Sequence, residues 1–355
     1  MKTFEEFQKQ YGIEQEIDRF TKDQISGMLV PHVSTGVPQL DRLLGGGFCA
    51  GVIMLGGHSG MGKSTLALQI AENISAQDIP VFFYSLEMTR SGVIAKAIAR
   101  QIYRQSQKKD ALSSSDLLYQ GSIEQLDKTQ WKEINQAREI VKSQCKDLMI
   151  LENRKGGAFS GKMIYEEVSG YAEKGNAVVF VDYLQVLKSS GAGGDPRNII
   201  DENVRYLRQL AQEMEIPVVV INSLNRNSYG RSISVSAFKE SGSIEYSADV
   251  VLAMQFATFS DHGEMKNGES VADKEKTKSP RVVDLIALKQ RYGRCGEDAR
   301  VRFHYYAEHD YFEESESPAL SPKRKKCSGK TETTEQEIQL DPEYDSGWME
   351  AVEEW

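Results

Sequence analysis

The residues best equipped for chemistry in this 355-residue chain lie between positions 57 and 65. Gly57-His58-Ser59-Gly60-Met61-Gly62-Lys63-Ser64 matches the phosphate-loop pattern G-x-x-x-x-G-K-[ST] at every fixed position. Its glycines let the main chain curl until several N–H groups converge on phosphate oxygens. A helix expected to start at Thr65 adds the positive end of its dipole. In such a loop Lys63 reaches the β- and γ-phosphates and the Ser64 hydroxyl sits on Mg²⁺. Gly57, Ser59, Gly60, Met61, Gly62, Lys63, Ser64 and Thr65 are therefore the expected nucleotide contacts, with ATP and Mg²⁺ as cofactors. His58 occupies a variable position and reads as incidental. Two acids complete the set. Asp182 ends the apolar run 178–181, and an acid at the carboxyl end of a central strand faces the crevice where open α/β sheets bind ligands. It is expected to hold Mg²⁺ together with Ser64. Glu87 follows another apolar run, 81–85, from where a carboxylate can position an attacking water for in-line transfer.

The elements that must hold these groups alternate along the chain. Strands are expected at 52–56, 81–85, 148–151, 177–182, 217–222, 250–255 and 282–289. Helical patterns at 65–75, 91–103, 128–142, 161–174 and 198–214 separate most of the earlier ones. This alternation implies βαβ units and the α/β class, with helices flanking a mostly parallel sheet. Continuous apolar runs such as 177–181 suit strands buried on both faces. Three zones are expected: a helical arm at 1–33, a phosphate-loop ATPase domain at 34–312 and a flexible acidic tail at 313–355. The arm places Phe4, Phe7, Tyr11, Ile13, Ile17 and Phe20 at roughly helical spacing, which fits a helix packed on its own domain or docked on a neighbour. The tail is rich in Ser, Pro and Lys and composes a disordered segment. It ends on Trp348, Met349, Val352 and Trp355 among acids, a pattern open to a docking peptide or a solvated tail.

The order of motifs resembles the C-terminal ATPase domain of DnaB-type replicative helicases, a RecA-like fold, over about residues 30–312. The resemblance rests on residues 34–41 (STGVPQLD), 44–47 (LGGG), the phosphate loop, 85–88 (SLEM), 182–185 (DYLQ), 224–226 (LNR), 240–245 (ESGSIE), 248–250 (ADV) and 289–291 (KQR). The early motifs also resemble the RadA and KaiC ATPases; SLEM, DYLQ and the run from 240 favour DnaB. The resemblance implies that Glu87 is the catalytic glutamate. It implies that Lys289 and Arg291 reach across a subunit boundary to a neighbour's γ-phosphate; read locally, such a pair on one strand often just snorkels to solvent. A trans arginine of this kind contributes on the order of 10³-fold or more in rate. It implies a homo-oligomer, a hexamer enclosing single-stranded DNA, that unwinds forked duplexes 5′-to-3′. The DNA-facing loop is expected at 226–243, with Arg226 and Arg231 as basic contacts and Lys239, Glu240 and Gly242 matching the family's contacting positions. Such contacts hold phosphates without reading bases and are salt-sensitive. The loop at 189–197 is expected to line the same channel.

The chain departs from the family at two places. A glutamine usually precedes the Leu-Asn-Arg run; here that position is Ser223, preceded by Asn222. Ser is too short to sense a γ-phosphate, so either Asn222 substitutes or the coupling is altered. The family's helical N-terminal domain is replaced by the short arm. This implies a reduced motor, as in a mobile element or phage, or a split system with primase or loader as a separate chain. Two other functions remain open: a RadA- or KaiC-like recombination or regulatory ATPase, and a nucleotide-gated scaffold that does not unwind.

Bulk properties set wider bounds. No apolar run approaches membrane length, and the polar N-terminus does not read as a targeting peptide. The net charge of −9 argues against a nucleic-acid partner, but residues 313–355 hold 12 acidic against 5 basic side chains and so carry most of it. Cys49, Cys145, Cys295 and Cys327 lack metal-ligand spacing, which fits free thiols and a cytoplasmic location. His304 and His309 lie in an expected strand and turn without a third ligand nearby.

Overall fold

The computed structural model describes residues 32–315, apart from 154–157, 192–194, 239–246 and 264, and a few single positions before residue 32. Expectations for the arm and the tail lie almost wholly outside the described residues, as do Lys239, Glu240 and Gly242. The described residues belong to one compact unit, Met1–Leu320. Nine strands form one sheet: β1 (Gly51–Gly57), β2 (Val81–Ser85), β3 (Leu148–Glu152), β4 (Val178–Asp182), β5 (Pro217–Ser223), β6 (Val250–Phe256), β7 (Arg281–Gln290), β8 (Arg300–Tyr306) and β9 (Tyr311–Glu314). Their spatial order is β3-β2-β4-β5-β1-β6-β7-β8-β9. The first six are parallel neighbours and the last three pair antiparallel. The described helices are α1 (Pro38–Leu44), α2 (Lys63–Ser75), α3 (Arg90–Ser106), α4 (Ser114–Leu118), α5 (Gln120–Ile123), α6 (Lys128–Gln144), α7 (Gly161–Tyr171), α8 (Pro196–Met214), α9 (Ala257–His262) and α10 (Gly268–Lys276).

Continuous apolar strands make two cores, because successive side chains leave opposite faces of the sheet. Ile53, Leu55, Phe83, Phe180 and Val219 pack on one face with Leu66 and Ile70 of α2. Val52, Met54, Tyr84, Val179 and Val218 pack on the other with Ile164 of α7 and Leu207 and Leu210 of α8. Each large side chain so buried contributes roughly 1.5–3 kcal/mol. Helix α8 shows how local sequence sets an element. Asp195 caps it by accepting from the Arg197 N–H, and Pro196 takes the first turn, where no N–H is needed. Ile200, Val204, Leu207, Leu210 and Ala211 then form its buried stripe.

Strand pairing continues two residues past residue 312. Strand β9 carries Glu313 and Glu314, which the sequence pattern places in the tail, into register with His304 and Phe303. The acids are anchored because Phe312 beside them is buried and Glu314 Oε1 accepts from the Gln39 N–H at 2.7 Å. His309 stacks on Tyr103 with ring centroids 4.2 Å apart.

Candidate nucleotide site

Strand β1 lies between β5 and β6, in the middle of the sheet, and its last residue is Gly57. The chain then turns through Gly60 (φ 80°) and Gly62 (φ 87°), both left-handed, into α2 at Lys63. Gly62 has a second reason to lack a side chain: a Cβ there would fall 2.8 Å from Phe312 Cζ and from Tyr305. Those two rings stack at 4.1 Å and form a platform beneath the loop. The expected strand–loop–helix arrangement is present, and α2 begins two residues earlier than the sequence pattern suggests.

Asp182 ends β4 and Ser85 ends β2, in register with each other, so Glu87 and Asp182 emerge at the same end of the sheet as Gly57. Asp182 is buried, and burial pushes its carboxyl up to about 6. The Glu87 charge raises it further, while the Ser64 hydroxyl, Lys63 and Lys96 pull it down. Its Oδ2 atom is buried without a hydrogen-bond partner. Burial lowers the Lys63 pKa, and Asp182 and Glu87 oppose that shift. Lys63 Nζ donates to the His58 carbonyl at 3.1 Å. Four expected residues, Lys63, Ser64, Asp182 and Glu87, therefore influence one another at a single end of the sheet. Of the remaining loop positions, Ser59 is exposed, Met61 is buried in the hydrophobic core and Thr65 is buried against Asp310.

Lys289 and Arg291 lie elsewhere. Lys289 lies at the end of β7, antiparallel to β6, and Arg291 immediately follows the strand; Lys289 Nζ donates to the Ala248 carbonyl at 2.7 Å. Arg291 Nε is 3.2 Å from Asp249 Oδ1. Asp249 in turn accepts from the Val52 N–H at the start of β1. The pair thus sits at the opposite strand ends of the sheet, a strand length or roughly 20 Å from the loop of its own chain. Arg226 and Arg231 are exposed on the loop that follows β5. Asn222 is fully buried, and its side-chain oxygen accepts from Gln185; Asn222 Nδ2 and Gln185 Oε1 have no partner.

Several site neighbours have no local sequence signal. Arg281 Nη1 donates to the Gly60 carbonyl at 2.9 Å. Lys96 pairs with Asp310, and Thr65 Oγ1 donates to the same carboxylate at 3.3 Å. His58, incidental by sequence, contacts Ser228 and Tyr229. These residues come from distant parts of the chain, so only the tertiary fold brings them to the loop. Among the described residues no group of three or more His, Cys, Asp or Glu is arranged to hold a metal ion. No helix among them is long and apolar enough to cross a membrane.

Comparison with known proteins points to one family. The replicative DNA helicase DnaB of Pasteurella multocida is 27% identical over 293 residues, covering 80% of this chain and 56% of the relative. DnaB of Haemophilus influenzae is 27% identical over 294 residues, covering 80% and 55%. The chain thus spans little more than half the length of these relatives. One solved ATPase domain superposes with a TM-score of 0.67 at 20% identity, over 85% of this chain and 98% of that one. A DnaB-like replicative helicase, solved in a study of its interactions with primase, superposes at 0.65 and 22% identity, over 84% and 65%. The fold expected from the sequence, a RecA-like sheet flanked by helices, is the observed one. The family model described as the DnaB-like helicase C terminal domain matches residues 32–314, most of the chain, and the chain belongs to that family.

Proposed function

We propose that this chain is the motor domain of an ATP-dependent DNA helicase, hydrolysing ATP at the interfaces of a homo-oligomeric ring that moves on single-stranded DNA. The observation that carries the reading is the division of the expected catalytic groups between the two strand ends of one sheet. Lys63, Ser64, Asp182 and Glu87 share the end at Gly57, whereas Arg291 shares the other with Asp249. A subunit built this way offers a nucleotide pocket at one end and basic groups for a neighbour's pocket at the other. That is the layout of a head-to-tail ring. The residues also fit Mg²⁺–nucleotide. The unpartnered, buried Asp182 Oδ2 beside the Ser64 hydroxyl suits an ion held through both. Bound Mg²⁺ would neutralise charge on the β- and γ-phosphate oxygens. Lys63 would bind the phosphates, the loop N–H groups would orient them and Glu87 would position the attacking water. Lys289 and Arg291 would stabilise the transferring phosphoryl group of the adjacent subunit. Arg226 and Arg231, with Lys239, Glu240 and Gly242, would hold the DNA backbone.

The testing experiment is strand displacement on a forked duplex with a 5′ tail, with Mg-ATP, comparing wild type with Lys63→Ala and Arg291→Ala. Unwinding by wild type and by neither variant supports the reading. Hydrolysis without strand separation favours a RadA- or KaiC-like regulatory or recombination ATPase instead. One observation keeps that second reading in play: Asn222 is engaged by Gln185 rather than directed freely at a phosphate, and Ser223 has a short side chain. A primase or loader on a separate chain is the partner to add if wild type needs help to load.

A further inference from the structure

His58 stands inside the phosphate loop, yet its contacts lead away from it. The segment after β5 forms an arch closed at its base by a bridge between Leu224 and Phe238 and by the Asn225 N–H donating to the Ala237 carbonyl at 2.7 Å. Phe238 is fully buried, and its ring fills the space a side chain at Gly56 would need, with Cζ 2.3 Å from that Cβ position. The base of the arch therefore rests on the residue before Gly57. Its crown meets the loop again. Ser228 Oγ lies 3.3 Å from His58 Nε2 and donates its one proton to the Asn225 carbonyl at 2.6 Å. With that proton committed, the imidazole Nε2–H is the donor to Ser228. The Tyr229 ring meets His58 edge-on at 5.3 Å and 83°. Lys276 of α10 lies over the Tyr229 ring at 4.5 Å, and the Tyr229 hydroxyl donates to Asp273 Oδ1 at 2.6 Å.

His58 is consequently held at two points by two systems. Its carbonyl accepts from Lys63, the side chain aimed at phosphate, and its ring is held by the crown of the arch. Burial, with Lys63 and Lys276 nearby, keeps the imidazole below its ordinary pKa, although a hydrogen bond with the Ser228 backbone opposes the shift. A neutral ring offers one donor and one acceptor, a directional contact rather than a diffuse charge. Directional contacts shared by two sites are how displacement at one biases the other.

We propose that His58 is a positioning residue that couples the phosphate loop to the 224–238 arch through Ser228 and Tyr229, so that the nucleotide bound sets how the arch meets single-stranded DNA. This rests on the reading of the arch as DNA-facing. Residues 222 and 223, at the end of β5, are thereby relieved of carrying the nucleotide signal alone.

The test measures affinity for a fluorescent oligo-dT with a non-hydrolysable ATP analogue and with ADP, alongside basal ATP turnover. It uses the full chain as wild type, His58→Ala, His58→Asn, Ser228→Ala and the His58→Ala/Ser228→Ala double variant. Wild type should bind DNA differently in the two nucleotide states. Ser228→Ala, which removes the Oγ contact to His58 and the hydrogen bond to the Asn225 carbonyl, should stay folded and keep its basal turnover while the ratio of the two DNA affinities collapses toward one, by about fivefold or more. The double variant should lose no more than either single variant, and His58→Asn, which retains a donor, should recover part of the ratio. If Ser228→Ala and His58→Ala both keep the wild-type ratio, the coupling is overturned while the DNA-binding reading stands. Equal wild-type affinity in the two states overturns the coupling in the same way. Failure of wild type to bind DNA in either state overturns the DNA-facing reading and the coupling together.

Discussion

On the proposed reading Glu87 and Lys63 divide the labour at the nucleotide site. Lys63 is largely buried with the charges of Asp182 and Glu87 nearby, which suits it to binding phosphate. Glu87 is exposed at the same end of the sheet, free to order a water. Replacing Glu87 by Gln keeps size and polarity but removes the negative charge. ATP turnover should fall by roughly 10²–10⁴-fold while nucleotide affinity is retained. Turnover assays beside fluorescent-nucleotide titration check this; a variant that turns over normally would move the water-positioning role to another side chain. Cysteine chemistry gives an independent test of packing. Burial pushes the Cys145 thiol up to about 12, with the Glu72 charge adding to the shift, whereas Cys295 is exposed. The thiolate is the reactive species, so alkylation of native protein at pH 8 should mark Cys295 and spare Cys145. Peptide mass mapping reads the outcome. Rapid native labelling of Cys145 would mean that α3 and α6 separate from α2 in solution.

Among the elements, the antiparallel strands that extend the sheet beyond β6 carry an unusual load. Asp284 is fully buried on β7, and Arg302 of β8 grips it with Nε at 2.7 Å and Nη2 at 2.9 Å. Arg300 approaches the same carboxylate at 3.6 Å. Removing one partner of a buried pair leaves the other charge uncompensated, so Asp284→Ala should destabilise the fold by about 3–5 kcal/mol. Urea unfolding measures it; a loss within experimental error would show that Arg302 re-pairs with Asp261, which it also contacts. These strands mark where sequence reading weakens. Strands β1, β2, β4 and β5 are legible because both faces are covered, so their apolar runs are nearly unbroken. Strand β8 alternates instead: Val301, Phe303 and Tyr305 point into the core between Arg302 and His304, and by sequence it reads with its neighbours as a strand and turn. Helices α9 and α10 give no clear pattern because each buries only a few residues. The site divides in the same way. Gly57 to Thr65, Asp182 and Glu87 are readable because their chemistry is written in contiguous residues or at strand ends. Arg281, Lys96, Asp310 and the His58–Ser228 contact are not, since nothing local ties residue 58 to residue 228.

At the scale of the whole molecule, the proposed ring rests on the two groups of expected catalytic residues lying at opposite strand ends of one chain. Asp182 and Lys63 lie at the end of the sheet where β1 finishes, and Arg291 lies where β1 begins. Strands this length hold the two roughly 20 Å apart, too far for Arg291 to touch the nucleotide of its own subunit. If the active site is shared between neighbours, two different defects should complement each other. Lys63→Ala lacks a working pocket but retains Arg291; Arg291→Ala retains a pocket but lacks the neighbour's group. Each variant alone should hydrolyse ATP near background. Mixed in equal amounts and allowed to exchange subunits, they would form a complete site wherever an Arg291→Ala pocket faces a Lys63→Ala neighbour. In a head-to-tail ring with random placement, roughly a quarter of the interfaces meet that condition. Hydrolysis should therefore reappear on mixing, at a fraction of the wild-type rate, and should require conditions in which subunits associate. The check is ATP turnover across a series of mixing ratios, with light scattering to follow assembly. A peak near equal proportions argues for a shared site. A flat line at background, with mixed oligomers demonstrably present, would leave Arg291 with its Asp249 contact as a structural strand-end pair and no part in hydrolysis.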